Sequence, residues 1–203
     1  MAVPFEEAWL AYGAGTVPVG AAITDPDGHI VARGRNRILD DPAPGQIGRS
    51  RLAHAEVNAI LGLVGKQVDP LTLTLLTTAE PCPLCIGAIV IANIRSVRFA
   101  AREPFAGSVA LLGATPYLRS KAIAVRGPED DVLEGVLLAI GSEFHLRAYG
   151  PRIAELIEIT ASLRPDSVAL AQQMHASGAW TTLRERAVDD AFATLARGLE
   201  SIR

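Results

Sequence analysis

Cysteine is scarce: the 203-residue sequence has two, Cys82 and Cys85. Two thiols three positions apart cannot staple a chain of this length, so a disulfide scaffold is excluded. The pair suits a reducing cytoplasm, where thiols stay free for metal. Long apolar runs are also missing. The longest, residues 85–94, stops at Arg95 after about half of the ~20 residues that a bilayer crossing needs. Met1 to Glu7 carries acids where a secretory leader carries bases, so no membrane association and a cytoplasmic location are expected. An excess of positive charge is absent too, with 19 Lys and Arg against 22 Asp and Glu for a net charge of −3. Such a chain lacks the field on which nonspecific nucleic-acid binding relies, so a small-molecule ligand and no nucleic-acid partner are expected. The sequence carries no repeats and no low-complexity tract.

What is present is a globular composition, 49% hydrophobic and 20% charged. The length suits one domain with an appendage, divided here into residues 1–150 and a helical extension at 151–203. Periodicity and breakers predict a helix over 5–12 and a hairpin over 17–34 that turns at Asp25-Pro26-Asp27-Gly28. A loop broken by Pro42, Pro44, Gly45 and Gly48 follows at 37–53. Helices at 54–64 and 83–93 then alternate with strands at 71–78 and 97–101, an order that builds parallel crossovers and an α/β core. A fifth strand is expected within 121–126 and a helix over 128–145, with Glu129, Asp130 and Asp131 at its positive end. Leu183, Ala187, Ala191, Leu195 and Leu199, four apart, predict a packing stripe on a tail whose six Arg oppose seven acids.

Two short pieces carry chemistry: His54-Ala55-Glu56 and Pro81-Cys82-Pro83-Leu84-Cys85, each at the start of a predicted helix. A lone HxE is an ordinary surface pair, and a lone CxxC is as well suited to redox work as to metal. Together they match the HxE…PCxxC signature of zinc deaminases, in which three side chains hold the metal and the Glu stays off it. Residues two apart on a helix are rotated by about 200°, so His54 and Glu56 converge only around a helix end. Cys82 and Cys85 share a face, and Pro83 is tolerated in a first turn. Both pieces therefore belong to helix N-termini at the carboxyl edge of the strands, where open sheets bind ligands. Three ligands, His54, Cys82 and Cys85, leave a fourth position for water, the arrangement of a catalytic zinc. The remaining histidines, His29, His145 and His175, stand alone without metal-type spacing.

On the pieces VPVGAAI, HAEVNAI, EPCPLCIGAI and VRFAARE, residues 17–101 resemble the zinc-dependent cytidine and deoxycytidylate deaminase superfamily. Within it they resemble the branch of guanine deaminases, cytosine deaminases and tRNA adenosine deaminases. The resemblance implies a three-layer αβα fold, a mixed five-stranded sheet with helices on both faces. It also implies Zn²⁺ as cofactor, a homodimer, and hydrolytic deamination in which a zinc-activated water attacks the amine-bearing carbon while Glu56 carries the proton. By analogy Asn36 and the backbone of Ala55 touch the substrate, with Glu103 and Phe105 reading and stacking the ring. Asn36 is equally at home as a strand-end turn residue.

Two departures stand out. The branch joins its Asn to the HAE through a short loop, whereas residues 37–53 intervene here, and the helical tail is additional. Phe144, Tyr149 and Trp180 of that region are candidates for a lid. The readings in play are a deaminase of a free nucleobase or nucleobase-like amine such as guanine, cytosine or an amino-triazine, a tRNA adenosine deaminase, and a dithiol protein. The second needs a basic stripe, for which only Arg33, Arg35, Arg37, Arg49 and Arg51 offer themselves. The third leaves His54 and Glu56 without a task.

Overall fold

A computed structural model describes residues 1–202. Its centre is a five-stranded mixed sheet in the order β2-β1-β3-β4-β5. The strands are β1 (Gly20–Thr24), β2 (Ile30–Arg35), β3 (Thr74–Ala79), β4 (Ser96–Ala101) and β5 (Ala124–Arg126). β1 runs antiparallel to both β2 and β3, while β3, β4 and β5 are parallel. The hairpin and crossovers read from the sequence are therefore present, with ends shifted by a few residues, as fraying ends generally are.

Two glycines set the layers. A Cβ on Gly20 would lie 2.1 Å from the carbonyl of Pro4 in α1 (Ala2–Gly13), and one on Gly34 would lie 2.3 Å from the amide of Ala59 in α2 (Ala55–Leu61). Gly34 pairs with Ala21, the neighbour of Gly20, and successive residues of a strand face opposite sides. Hence α1 packs on one face and α2 on the other, each so close that no side chain fits between helix and strand. α3 (Pro83–Ile91) joins α2, and their face is filled by Ala21, Ile23, Leu75, Ile89, Ile94 and Val97.

The opposite face holds α1 and α5 (Asp131–Tyr149), with Phe5, Trp9, Tyr12, Val136, Ile140 and Phe144 in one core. A short α4 (Pro116–Ser120) precedes β5. After α5 come α6 (Ala154–Leu163), α7 (Pro165–Ser177), α8 (Trp180–Leu183) and α9 (Val188–Ile202). The expected stripe survives in part. Leu183, Ala191, Leu195 and Leu199 are buried against α5 and α7, but the helix breaks after Leu183 and leaves Ala187 exposed in the connection. Phe192 of α9 meets Phe5 edge to face at 5.4 Å. Among the described residues no helix is long and apolar enough to cross a membrane.

One carboxylate ties the two ends of this layer together. Glu134, 1% exposed, accepts from the backbone amide, Nε and Nη2 of Arg102 at 3.0, 2.8 and 2.6 Å, and Arg164 lies 3.5 Å away. Burial pushes this carboxyl up, and the Arg102 hydrogen bonds and the Arg164 charge outweigh it, so the group sits below its ordinary value of 4.5. A depressed carboxyl stabilises the fold above its unfolded-state value and loses that contribution as pH falls through the folded-state value. Glu134→Ala is expected to cost about 2 kcal/mol at pH 7, less than a fully buried pair because Arg102 is half exposed. Urea unfolding measures it, and the gap from the parent protein should close as the medium is acidified below pH 4.5.

Candidate active site

The two chemistry-bearing pieces meet where the sequence places them, at two helix N-termini. His54 is the N-cap of α2, with extended backbone (φ −75°, ψ 154°), and Cys82 is the N-cap of α3, with Pro83 in the first turn. Extended backbone at an N-cap turns the side chain out over the helix end, and Cys85, one turn on, reaches the same spot. His54 Nδ1 lies 3.5 Å from Cys82 Sγ and 3.4 Å from Cys85 Sγ, and the two sulfurs are 3.6 Å apart.

This donor set fits zinc. Bonds of about 2.3 Å to sulfur and 2.0 Å to nitrogen at tetrahedral angles put neighbouring ligand atoms about 3.5–3.8 Å apart, close to the spacing found. Three protein ligands leave one position for water or substrate. The hydrogen bond from Cys85 and the neighbouring His54 push the Cys82 thiol down to about 4. Cys85 is pushed up by sharing its proton with that thiolate and by burial, and His54 is raised by Cys82. A second grouping, Asp25, Asp27 and His29, brings ligand atoms together in the β1–β2 turn. There Asp25 accepts from the amides of Asp27 and His29, as turn chemistry requires.

A pocket of about 190 Å³ opens on the His54–Cys82 side. Glu56, 3% exposed, lines its floor and accepts from Thr77 Oγ1 at 3.2 Å, and burial holds its carboxyl above the ordinary value. Asn36, also 3% exposed, lines one wall. Its Oδ1 accepts from Thr16 Oγ1 and from the amide of Ile38, which leaves Nδ2 as the atom it offers to the pocket. Glu103 and Phe105 lie at the mouth. Glu103 Oε1 is taken by the amides of Phe105 and Ala106, and the Phe105 ring is 54% exposed, a rim residue rather than a core one. Ala55 buries its methyl group in the core beneath β2, so any contact it makes falls to its backbone.

Of the lining residues that were not site candidates in the sequence, three come from segments far from the motifs. Ile38 comes from the rebuilt loop, His145 from α5 and Leu156 from α6. Burial alone pushes the His145 imidazole down to about 4, so the ring is neutral at pH 7, and it stacks on Tyr149 at 6.0 Å. Two of the lid candidates are otherwise employed. Phe144 is fully buried in the core, and Trp180 lies under Arg147 at 4.1 Å.

The 37–53 loop is fastened at both ends. The Arg37 amide bonds the Ala53 carbonyl at 2.9 Å, directly before His54. In the middle, Asn58 of α2 accepts from the Ile47 amide and donates to the carbonyls of Arg35 and Ile47. Removing this fully buried amide in Asn58→Ala leaves three backbone groups unpaired, an expected loss of about 2 kcal/mol. Hydrogen exchange of residues 38–50 should rise sharply in that variant, and unchanged protection would refute the role.

The sequence matches the family described as cytidine and deoxycytidylate deaminase zinc-binding region over residues 1–101. Guanine deaminase of Bacillus subtilis is 40% identical over 90 residues, which cover 42% of this chain and 51% of that protein. The tRNA(Ile)-lysidine synthase of Deinococcus radiodurans is 37% identical over 95 residues, 46% of this chain and 15% of that protein. This chain thus spans about half of the first relative and less than a fifth of the second. A solved structure from work on A-to-I editing by tRNA:A34 deaminases superposes with a TM-score of 0.53 at 30% identity, covering 63% of this chain and 90% of that one. With that much of a deaminase covered, and with a His-Cys-Cys group spaced for the metal, the chain belongs to the cytidine and deoxycytidylate deaminase family.

Proposed function

We propose that the protein removes the amine of a free amino-substituted nitrogen heterocycle, a nucleobase or nucleobase-like molecule such as guanine, cytosine or an amino-triazine. Water is consumed, the ring gains a carbonyl, and ammonia leaves. His54, Cys82 and Cys85 hold the zinc in this reading, and Glu56 is the catalytic proton carrier. A bound zinc supplies Lewis acidity that makes a water nucleophilic near neutral pH. Glu56 takes that water's proton, passes it to the ring nitrogen next to the reacting carbon, and helps deliver a proton to the departing amine. Its place on the pocket floor, beside the ligand group yet not part of it, is the observation that carries the assignment. Asn36 Nδ2 fixes the ring by a hydrogen bond, Phe105 covers its face, and Glu103 and the Ala55 backbone complete the contacts.

The arginines near the site favour a small substrate. Arg33 lies within ion-pair range of Glu7, Arg35 and Arg37 share Asp40, and Arg49 pairs with Asp41. Arg35 and Arg37 divide one carboxylate and Arg51 has no ion pair among those described, so the cluster is partly neutralised and makes a weak track for a polyanion. The second reading, deamination of adenosine in tRNA, draws on the likeness to the tRNA:A34 deaminases. Two-fold assembly of the chain, as the resemblance implies, belongs to the first reading and is measured by sedimentation.

Ammonia release by the zinc-loaded protein over guanine, cytosine, adenosine, amino-triazines and a tRNA anticodon stem-loop separates the readings. Turnover of a free base supports the first, whereas turnover of the stem-loop alone replaces it with the second. Glu56→Gln should keep its zinc and lose roughly 10²- to 10⁴-fold in turnover. Cys82→Ala should lose the metal itself, read by elemental analysis, together with thermal stability. Full activity in Glu56→Gln would end its role as proton carrier.

A further inference from the structure

Next to the pocket of the candidate active site, of about 190 Å³, lies a smaller compartment of about 60 Å³. Val17, Val19, Ala79, Glu103, His145 and Leu156 line both, so the two compartments adjoin. His54, Glu56 and Cys82 line the main compartment only. A ring held with its amine toward those residues therefore turns another edge toward the annex.

The annex is apolar in effect. Pro18, Ala101, Leu137 and Leu138 form much of its wall. Glu103, Ser142 and His145 also line it, whereas three other polar side chains that reach it are engaged elsewhere. Arg102 is bound by Glu134, Thr78 Oγ1 accepts from the Gly20 amide, and Thr160 Oγ1 donates to the Leu156 carbonyl. A hydroxyl-rich substituent entering it would give up hydrogen bonds to water, whereas an alkyl group would gain by leaving water. Gly141 marks the feature that keeps the annex open. It lies within α5, where glycine costs roughly 0.5–1 kcal/mol relative to alanine, and its φ lies outside the left-handed region that would call for glycine. It is not forced by crowding either, since a Cβ there would meet nothing within 4 Å. It stands one turn before His145 and lines the annex, so the missing side chain leaves free space.

Resting on the deaminase reading above, we propose that this annex is a specificity subsite for a small alkyl substituent on the ring edge turned away from the reacting amine. The protein then distinguishes substituted from plain rings by the depth of the pocket, with the face of α5 as its back wall.

The test uses matched pairs: cytosine against 1-methylcytosine, guanine against 9-methylguanine, and a diamino-triazine with and without an ethyl group on the ring. Ammonia release gives kcat/KM for the zinc-loaded parent protein, for Gly141→Ala and for Gly141→Leu. The parent should prefer the alkylated member of at least one pair by about tenfold or more, the discrimination that one or two methylenes give in an apolar pocket. Gly141→Leu should collapse that ratio, and Gly141→Ala, whose added methyl enters open space, should lower it part way. Equal use of both members by the parent, or a ratio unmoved in Gly141→Leu, overturns the subsite while leaving the deaminase reading intact. A protein that turns over none of these rings, and whose Glu56→Gln variant binds none by calorimetry, overturns both.

Discussion

His54, Cys82 and Cys85 converge because two helices begin at one edge of one sheet. Everything chemical in the molecule depends on that placement. Gly34 lets α2 settle directly on β2, with no room for a methyl group at the contact, and this fixes where the N-cap of α2 lies. The β3–α3 junction brings Cys82 to the same edge. Once both N-caps are there, ligand atoms 3.4–3.6 Å apart follow, and the positive helix ends favour the thiolates. Glu56 follows as well. It is in the first turn of α2, two residues beyond the ligand His54, and Thr77 of β3 orients its carboxylate.

The walls around that centre have a different origin. The layer of α2 and α3, which carries the His-Cys-Cys group, supplies the floor, whereas α5 and α6, from the opposite layer, supply His145 and Leu156. The two layers meet the pocket independently, so the chemistry can stay constant while the back wall changes. The Glu134 clamp ties that wall to the sheet. It joins the exit of β4, next to Glu103, to the first turn of α5 and to Arg164. The buried Glu143 does similar work further along α5, accepting from Tyr12 Oη at 2.6 Å and from Arg147 at 3.2 Å.

Much of this was legible in the residues. The alternation of helix and strand, the hairpin at Asp25–Gly28 and the N-terminal location of both motifs are local properties, fixed by periodicity, turn chemistry and the spacing of ligand types. The Glu103 and Phe105 assignments illustrate the limit. Their nearness to the site was readable from a position just past β4, but that Phe105 stays exposed and that Glu103 caps its own turn required the fold. His145 looked like an isolated histidine because nothing near it in sequence is chemical. Its partners in the pocket wall, Val17, Asn36 and Ile38, lie more than a hundred positions away. Ala187 failed for a related reason, since a four-residue period continues on paper through a connection where the helix stops.

The sequence by itself determined the chemistry: the ligand types, their spacing around two helix starts, and the acid beside them are carried by a few consecutive residues. Tertiary structure alone decided the shape of the pocket and the state of its walls. Packing at Gly20 and Gly34 set the layers, Asn58 drew the 37–53 loop onto α2, and Glu134 locked α5 over the far end. Contacts between residues far apart in sequence leave no periodic trace, because each side chain answers only to the neighbour that the fold brings to it.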